Sequence, residues 1–275
     1  INLIKIDGKP LEKLIDVISK GIGTIYKPRS IKKEADARAY EIEIIERAKS
    51  KAIIEGKEID LDLQDRIETR LLAKETKRQI NVENVISVAA EQLKTEDSVS
   101  ENPVDEDWIN RFFNIVEDIS NEEMQNLWGR ILAGEIKSPN SYSLRTLDIL
   151  RNFSKNDAEI FSKVAKFRIY SNPYYFLPEL EQIDFLKNTA NIIFDDLLHL
   201  EEIGLISTSS TLSIEITGTN DSKRNDLYWF GEMGLVQIKE IECPAQSIQA
   251  FFFTKTAIEL LPLIQASENE DYIRQ

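Results

Sequence analysis

The stretch Glu122-Glu123-Met124-Gln125-Asn126-Leu127-Trp128-Gly129-Arg130-Ile131-Leu132-Ala133-Gly134-Glu135-Ile136 decides the fold class. Met124, Leu127, Trp128, Ile131 and Leu132 recur at the spacing of one helical face. Ser120 and Glu123 stand at the Ser-x-x-Glu spacing of a capping box, which predicts where that helix begins. Gly134 predicts a stop near its end, and Pro139 with Asn140 turns the chain. Trp128 shares the apolar stripe with Met124 and Ile131, so it reads as core. Arg130 and Arg145 read as ion-pair partners of nearby acids rather than as ligand-binding groups.

Outward from this helix the same periodicity continues. Trp108, Ile109, Phe112, Phe113, Val116 and Ile119 make an apolar face behind an acidic start at Asp105 to Asp107, which suits a helix N-terminus. Leu144, Leu147 and Leu150 lead a third helix. Ser154-Lys155-Asn156-Asp157 opens a fourth containing Ile160, Phe161, Val164 and Phe167. Short connections predict antiparallel neighbours, so residues 105–169 are expected to form a central helical bundle.

Towards the N-terminus, Leu11, Leu14, Ile15, Ile18, Ile22 and Ile25 form an apolar stripe with Pro10 in the first turn. Lys13, Lys20, Lys27, Arg29, Lys32 and Lys33 surround it and are the candidate interaction residues. Residues 1–29 are therefore expected to be a basic amphipathic helix, either docked on the protein or lying on an anionic membrane surface through residues 10–29. Residues 30–94 read as an extended helical region. One helix begins after Ser30 and is ended by Gly56, a second covers Gln64 to Ile80, and a third covers Val82 to Leu93. Asp60, Asp62 and Asp65 lack the glycine and closing glutamate of a calcium loop and read as a solvated turn. Residues 94–104 are a polar linker.

The last third changes character. Residues 170–181 are rich in Tyr, Pro, Phe and Leu and are expected to cross irregularly or in a short extended piece. Ile192 to Ile206 reads as a helix, a stop at Gly204 and an entering strand. Leu212–Gly218 and Tyr228–Glu240 read as strands, and Thr254 as the cap of a closing helix from Lys255 to Ile264. This order over residues 182–266 resembles a winged-helix-like module. Its recognition-helix position carries Asp195, Asp196, Glu201 and Glu202, which disfavours phosphate and base contact and leaves the wing as the surface expected to contact a protein.

Net charge is -14 over 275 residues, but it is unevenly spread: residues 1–33 sum to +5 and residues 91–275 to -16, which turns nucleic acid away from the body. A single Cys243 excludes an intrachain disulfide, and no apolar run reaches a membrane span. These features place the chain in the cytoplasm, with an option of peripheral attachment at the inner membrane. The one histidine, His199, lies among leucines and reads as structural. Gly21-Ile22-Gly23 does not follow a strand, so it is not a dinucleotide fingerprint, and Glu135-Ile136-Lys137 sits at a helix end rather than on a nuclease strand. No catalytic, cofactor-binding or metal-binding residue is assigned, and the expectation leans away from an enzyme.

The runs Asp107 to Phe113, Ile119 to Ile136 and Ser141 to Leu147, with Lys20-Gly21-Ile22-Gly23-Thr24-Ile25-Tyr26-Lys27-Pro28, resemble the bacterial domain-of-unknown-function family numbered 2806 over about residues 1–170. Trp108, Ser120, Glu123, Leu127, Trp128 and Gly134 carry that signature. Ser120 through Ala133 is also similar to a helix of the abortive-infection alpha family, which implies an association with defence against phage. The resulting expectation is a mostly α protein: a helical N-terminal and central bundle with a small α+β winged-helix-like C-terminal domain. It would act as a non-catalytic interaction or regulatory protein on a protein partner or on itself as a homo-oligomer. The alternatives are a DNA-associated winged-helix regulator and a peripheral membrane protein.

Overall fold

A computed structural model describes residues 8–21, 23, 61–171, 173–178, 188, 190–207, 213–216, 227–230, 233–237 and 246–264. The helix expected after Ser30, Asp60, Cys243, and Lys27, Arg29, Lys32 and Lys33 lie outside the described residues, while Asp62 and Asp65, expected in a solvated turn with Asp60, lie in the first turns of the helix Leu61–Leu93. The chain divides into two compact units, Ile1–Asn140 and Ser141–Gln275. It is mostly helical, with a small antiparallel sheet confined to the second unit.

The first unit holds four described helices: α1 (Lys9–Gly21), α2 (Leu61–Leu93), α3 (Glu106–Val116) and α4 (Glu122–Lys137). Its centre is aromatic. Trp108 stacks on Phe112 at 5.0 Å, and Phe112 meets Trp128 edge-on at 5.5 Å. In α1 the buried face is Leu11, Leu14, Val17 and Ile18; of the expected stripe Leu11, Leu14 and Ile18 are thus buried, Ile15 is half-buried, and Ile22 and Ile25 lie outside the described residues. Gly21 closes α1 against the Phe113 ring, where an added Cβ would come within 2.0 Å of a ring carbon. Close packing explains this glycine, and the rejected dinucleotide reading is not needed.

Two local expectations are corrected. The cap of α4 is Asn121, whose Oδ1 accepts the Met124 N–H at 3.0 Å. The Ser120–Glu123 box does not start the helix, because the asparagine one residue later caps it through the next amide along. The break expected between Ile80 and Val82 is also absent, and α2 runs unbroken for 33 residues, about 50 Å at 1.5 Å per residue. Asn81, the one residue between the two expected helices, lies inside α2. It is buried, with Nδ2 donating to the Glu117 carbonyl at 2.8 Å and Oδ1 accepting from Gln125 Nε2 at 3.1 Å. Gln125 also donates to the Ile119 carbonyl at 2.8 Å and accepts from Asn84 at 3.0 Å. The network satisfies a buried polar seam between α2, α4 and the turn before α4. Beyond it, Val82, Val85, Ile86, Ala89, Ala90 and Leu93 form the face that packs.

The second unit begins with α5 (Leu144–Arg151) and α6 (Lys155–Ala165). Glu259, from α8 (Lys255–Leu260), accepts the Ser143 N–H at 2.7 Å and a hydrogen bond from the Thr146 hydroxyl, which ties α8 to the start of α5. The expected start of α6 is present as a full capping box between Ser154 and Asp157. The sheet strands are β1 (Ile169–Ser171), β2 (Tyr174–Pro178), β3 (Ile206–Ser207), β4 (Ser213–Ile216), β5 (Leu227–Phe230), β6 (Met233–Gln237) and β7 (Gln246–Phe253). Their order is β3-β7-β2-β1-β5-β6, with β4 also on β7, and every pairing is antiparallel. The stretch expected to cross irregularly or in a short extended piece is extended and forms the β1–β2 hairpin, and the single strand expected over Tyr228–Glu240 is the β5–β6 hairpin.

Helix α7 (Phe194–Glu202) ends as expected at Gly204, which takes φ +79°. Gly204 N–H donates to the Glu201 carbonyl at 2.9 Å and Leu205 N–H to the Leu200 carbonyl at 2.8 Å, the paired bonds of a Schellman stop. Thr254 caps α8 and also donates its hydroxyl to the Gly204 carbonyl at 2.7 Å. The end of α7 is thereby fixed to the start of α8.

Candidate functional site

The strongest functional signal lies on α7. Residues 192–200 contain six apolar residues in nine positions, more than one helical stripe buries. Ile192, Leu197 and Leu200 are buried in the second unit. Ile193, Phe194 and Leu198 are left outside, with 41%, 45% and 43% of their surface exposed. Phe194 and Leu198 are four residues apart, so they share a helical face, and Ile193 stands just before the first turn. Asp195 and Glu202 are also exposed, which makes the outer side of α7 apolar with an acidic rim.

This helix is held firmly from below. Asp196 Oδ2 accepts the Ile193 N–H at 3.1 Å and fixes the N-terminal turn. His199 Nε2 lies 2.6 Å from Asp157 Oδ1, joining α7 to the N-terminus of α6, and with the aspartate accepting, the imidazole donates. Asp157 Oδ2 accepts the Ser154 N–H at 2.7 Å, so one carboxylate serves both the α6 cap and the α7 tether. Burial pushes the Asp157 carboxyl up, but hydrogen bonds from the Ser154 backbone, His199 and the Ser154 side chain outweigh it and hold the carboxyl below its ordinary value.

A depressed carboxyl means stability that is fully present above the unfolded-state value and lost as pH falls through the folded-state value. Asp157→Asn is therefore expected to destabilise the chain near neutral pH. Its deficit relative to the wild type should shrink as pH drops below the ordinary carboxylate range. Paired thermal melts across that acid limb check this; a deficit independent of pH would contradict the assignment.

The residues singled out from sequence fall into separate places. Lys13 Nζ donates to the Ser100 and Asn102 carbonyls, both at 2.7 Å, and clasps the 94–104 connection to α1. Burial lowers its pKa against the pull of Glu135. Lys20 pairs with Asp16 at 2.9 Å along the same helix. Trp108 and Trp128 are core, Leu127 is half-buried, and Ser120 and Glu123 are exposed. Gly134 lies in the last turn of α4, where its carbonyl accepts the Ser138 N–H at 2.9 Å. His199 is in a structural pair, as expected. Sequence reading missed the α7 surface, although the surplus of apolar residues in 192–200 was its signal. Among the described residues no group of three or more His, Cys, Asp or Glu side chains is placed to hold a metal ion, and no helix is long and apolar enough to cross a membrane.

Fold and surface together define a mostly helical protein with a small antiparallel sheet and an apolar patch on α7. Over residues 65–275 the chain matches the family described as "Protein of unknown function (DUF2806)", and it belongs to that family. The match takes in both the Trp128 helix and the α7 surface, while the similar run at residues 20–28 lies ahead of it. No curated protein and no solved structure matches the chain.

Proposed function

We propose that the chain is a protein-interaction module whose α7 face docks a basic, partly apolar protein segment. The observation that carries this is the exposed set Ile193, Phe194 and Leu198 on a helix anchored by Leu197, Leu200 and the His199–Asp157 bond. Clustered apolar side chains within a polar surround favour a contact role, and an acidic rim favours a basic occupant. From α7 to α8 the order is helix, the strands β3 and β4, the β5–β6 hairpin, the strand β7 and a helix; the winged-helix-like reading rests on the α7, β3, β5–β6, β7, α8 part of it, with β4 and the β1–β2 hairpin as additions. In this reading α7 holds the recognition-helix position and offers Asp195 and Glu202, which suits protein and repels phosphate. The similarity of Ser120 through Ala133 to the abortive-infection helix supports phage defence as the setting. A membrane role through residues 10–29 requires α1 to undock first, since Leu11, Leu14, Val17 and Ile18 are packed.

The test is fluorescence anisotropy with two amphipathic peptides of equal length, one Lys/Leu and one Glu/Leu. The Lys/Leu peptide is expected to bind and the Glu/Leu peptide not. Leu198→Asp with Phe194→Ser should weaken binding at least about tenfold, equivalent to ~1.4 kcal/mol. Equal binding of both peptides, or binding indifferent to these substitutions, removes the proposal. Duplex DNA bound more tightly than the Lys/Leu peptide would transfer it to the DNA-regulator reading.

A further inference from the structure

Resting on α7 as a contact surface, we infer that its occupant is the N-terminal half of α2 from a second copy of the chain, exchanged reciprocally in a symmetric dimer. No residue from 63 to 80 is buried, whereas Asn81 and Val82 begin the part of α2 that is packed. Arg66, Arg70, Lys74 and Lys77 follow one another at helical spacing, so they stand in one row, about 17 Å long at 1.5 Å per residue, and all four are exposed. The acids of the same stretch, Asp65, Glu68 and Glu75, fall outside that row. Like charges one turn apart destabilise a helix, and Arg70, Lys74 and Lys77 form no hydrogen bond or ion pair among the described residues. An acidic surface facing the row offsets that cost. Leu63, which is 44% exposed, and the half-buried Ile67 extend the row at its N-terminal end, so this face is basic and partly apolar.

The two faces match in order as well as in charge. On α7, Phe194, Leu198 and Glu202 recur every fourth residue, apolar twice and then acidic, with Asp195 beside them. On α2, Leu63 and Ile67 are followed by Arg70 and Lys74. Laid parallel with Leu63 opposite Phe194, the helices bring Ile67 to Leu198 and Arg70 to Glu202. An antiparallel pairing would set the apolar pair of each helix against the charges of the other. Phosphates would satisfy the cations but leave Leu63 and Ile67 without an apolar partner, and the net charge of -14 opposes a polyanion, so a protein surface is the better occupant. Each copy gives one helix and receives one, so two identical contacts form together and reinforce each other. A handful of side chains is far short of the roughly 20–30 residues a side of a standard interface, so each contact alone is weak and the pair is needed.

Sedimentation velocity of the full chain over a concentration series tests this. The expected result is a reversible monomer–dimer equilibrium, weakened by salt because both charged rows are exposed. Arg70→Glu with Lys74→Glu should weaken dimerisation about tenfold or more, and so should Asp195→Lys with Glu202→Lys. An equimolar mixture of these two variants should dimerise again, because each α2 then meets an α7 of opposite charge; mixing would not rescue a misfolded variant. A wild-type chain that stays monomeric at every concentration overturns the inference, as does a dimer indifferent to both reversals or a mixture that stays monomeric. Duplex DNA bound by a monomeric wild type and released by Arg70→Glu with Lys74→Glu also overturns it and assigns the row to phosphates. If the chain is monomeric while the Lys/Leu peptide still binds α7, only the identity of the occupant falls. If neither is seen, the contact surface itself is lost.

Discussion

Replacing Trp128 with alanine is expected to cost the first unit about 3–5 kcal/mol, the usual range for removing a large buried aromatic. Trp128 has no exposed surface and meets Phe112 edge-on, so truncation empties the centre of the aromatic cluster. Domains are stable by only about 5–15 kcal/mol, so a loss of this size unfolds a large fraction of the molecules under mild denaturant. Trp128→Phe should retain most of the stability. The indole Nε1 of Trp128 is buried and donates to no residue, so the phenyl ring keeps the packing and releases an unpartnered donor. Urea melts of the two variants check this: equal destabilisation by Ala and Phe would show that packing is not what Trp128 contributes.

Gly129→Ala should also destabilise, against the local trend. Alanine is the better helix former by about 1 kcal/mol, so in an open helix the change would stabilise. Here an added Cβ would lie 2.5 Å from Val88 Cβ and 2.9 Å from the Val85 carbonyl oxygen. Neither is the free end of a flexible chain, so α2 and α4 must separate. Overpacking of this kind costs about 1–3 kcal/mol, which exceeds the propensity gain, and Gly129→Val should cost more. A urea midpoint that rises for Gly129→Ala, with unchanged slope, would contradict the close approach of the two helices.

Local chemistry made much of the fold legible. The Ser154–Asp157 box, the Gly204 stop and the Thr254 cap each depend on residues within a few positions, and each is present where the sequence placed it. What escaped depended on distant partners. Asn81 falls between two expected helices until Glu117 and Gln125 supply its hydrogen bonds from 36 and 44 residues away. Residues 170–181 look irregular or only briefly extended because Tyr and Pro give no alternation, yet Phe176, Leu177 and Pro178 pair with Phe252, Phe251 and Ala250 of β7. The Ser120 cap was displaced by a single residue because Asn121 is an equally good acceptor. For α7, the sequence held the surplus of apolar residues. Which of them face outward depended on how the helix is clamped by Asp157 and the Gly204–Thr254 bond.

The position of β7 also governs the order in which the chain acquires its structure during synthesis. β7 is the last of the described strands to be made, yet β2, β3 and β4 all hydrogen-bond to it. β2 pairs on one edge with the adjacent β1, but its other edge waits for a partner some seventy residues downstream, a long loop to close. The described helices of the first unit pack against one another within residues 1–140. On the ribosome the aromatic bundle can therefore mature early and the β1–β2 and β5–β6 hairpins can close locally, while the edges of β2, β3 and β4 that face β7 stay unpaired until residue 253 has cleared the exit tunnel. For that interval the nascent second unit is the part of this protein most exposed to chaperones and to misassociation.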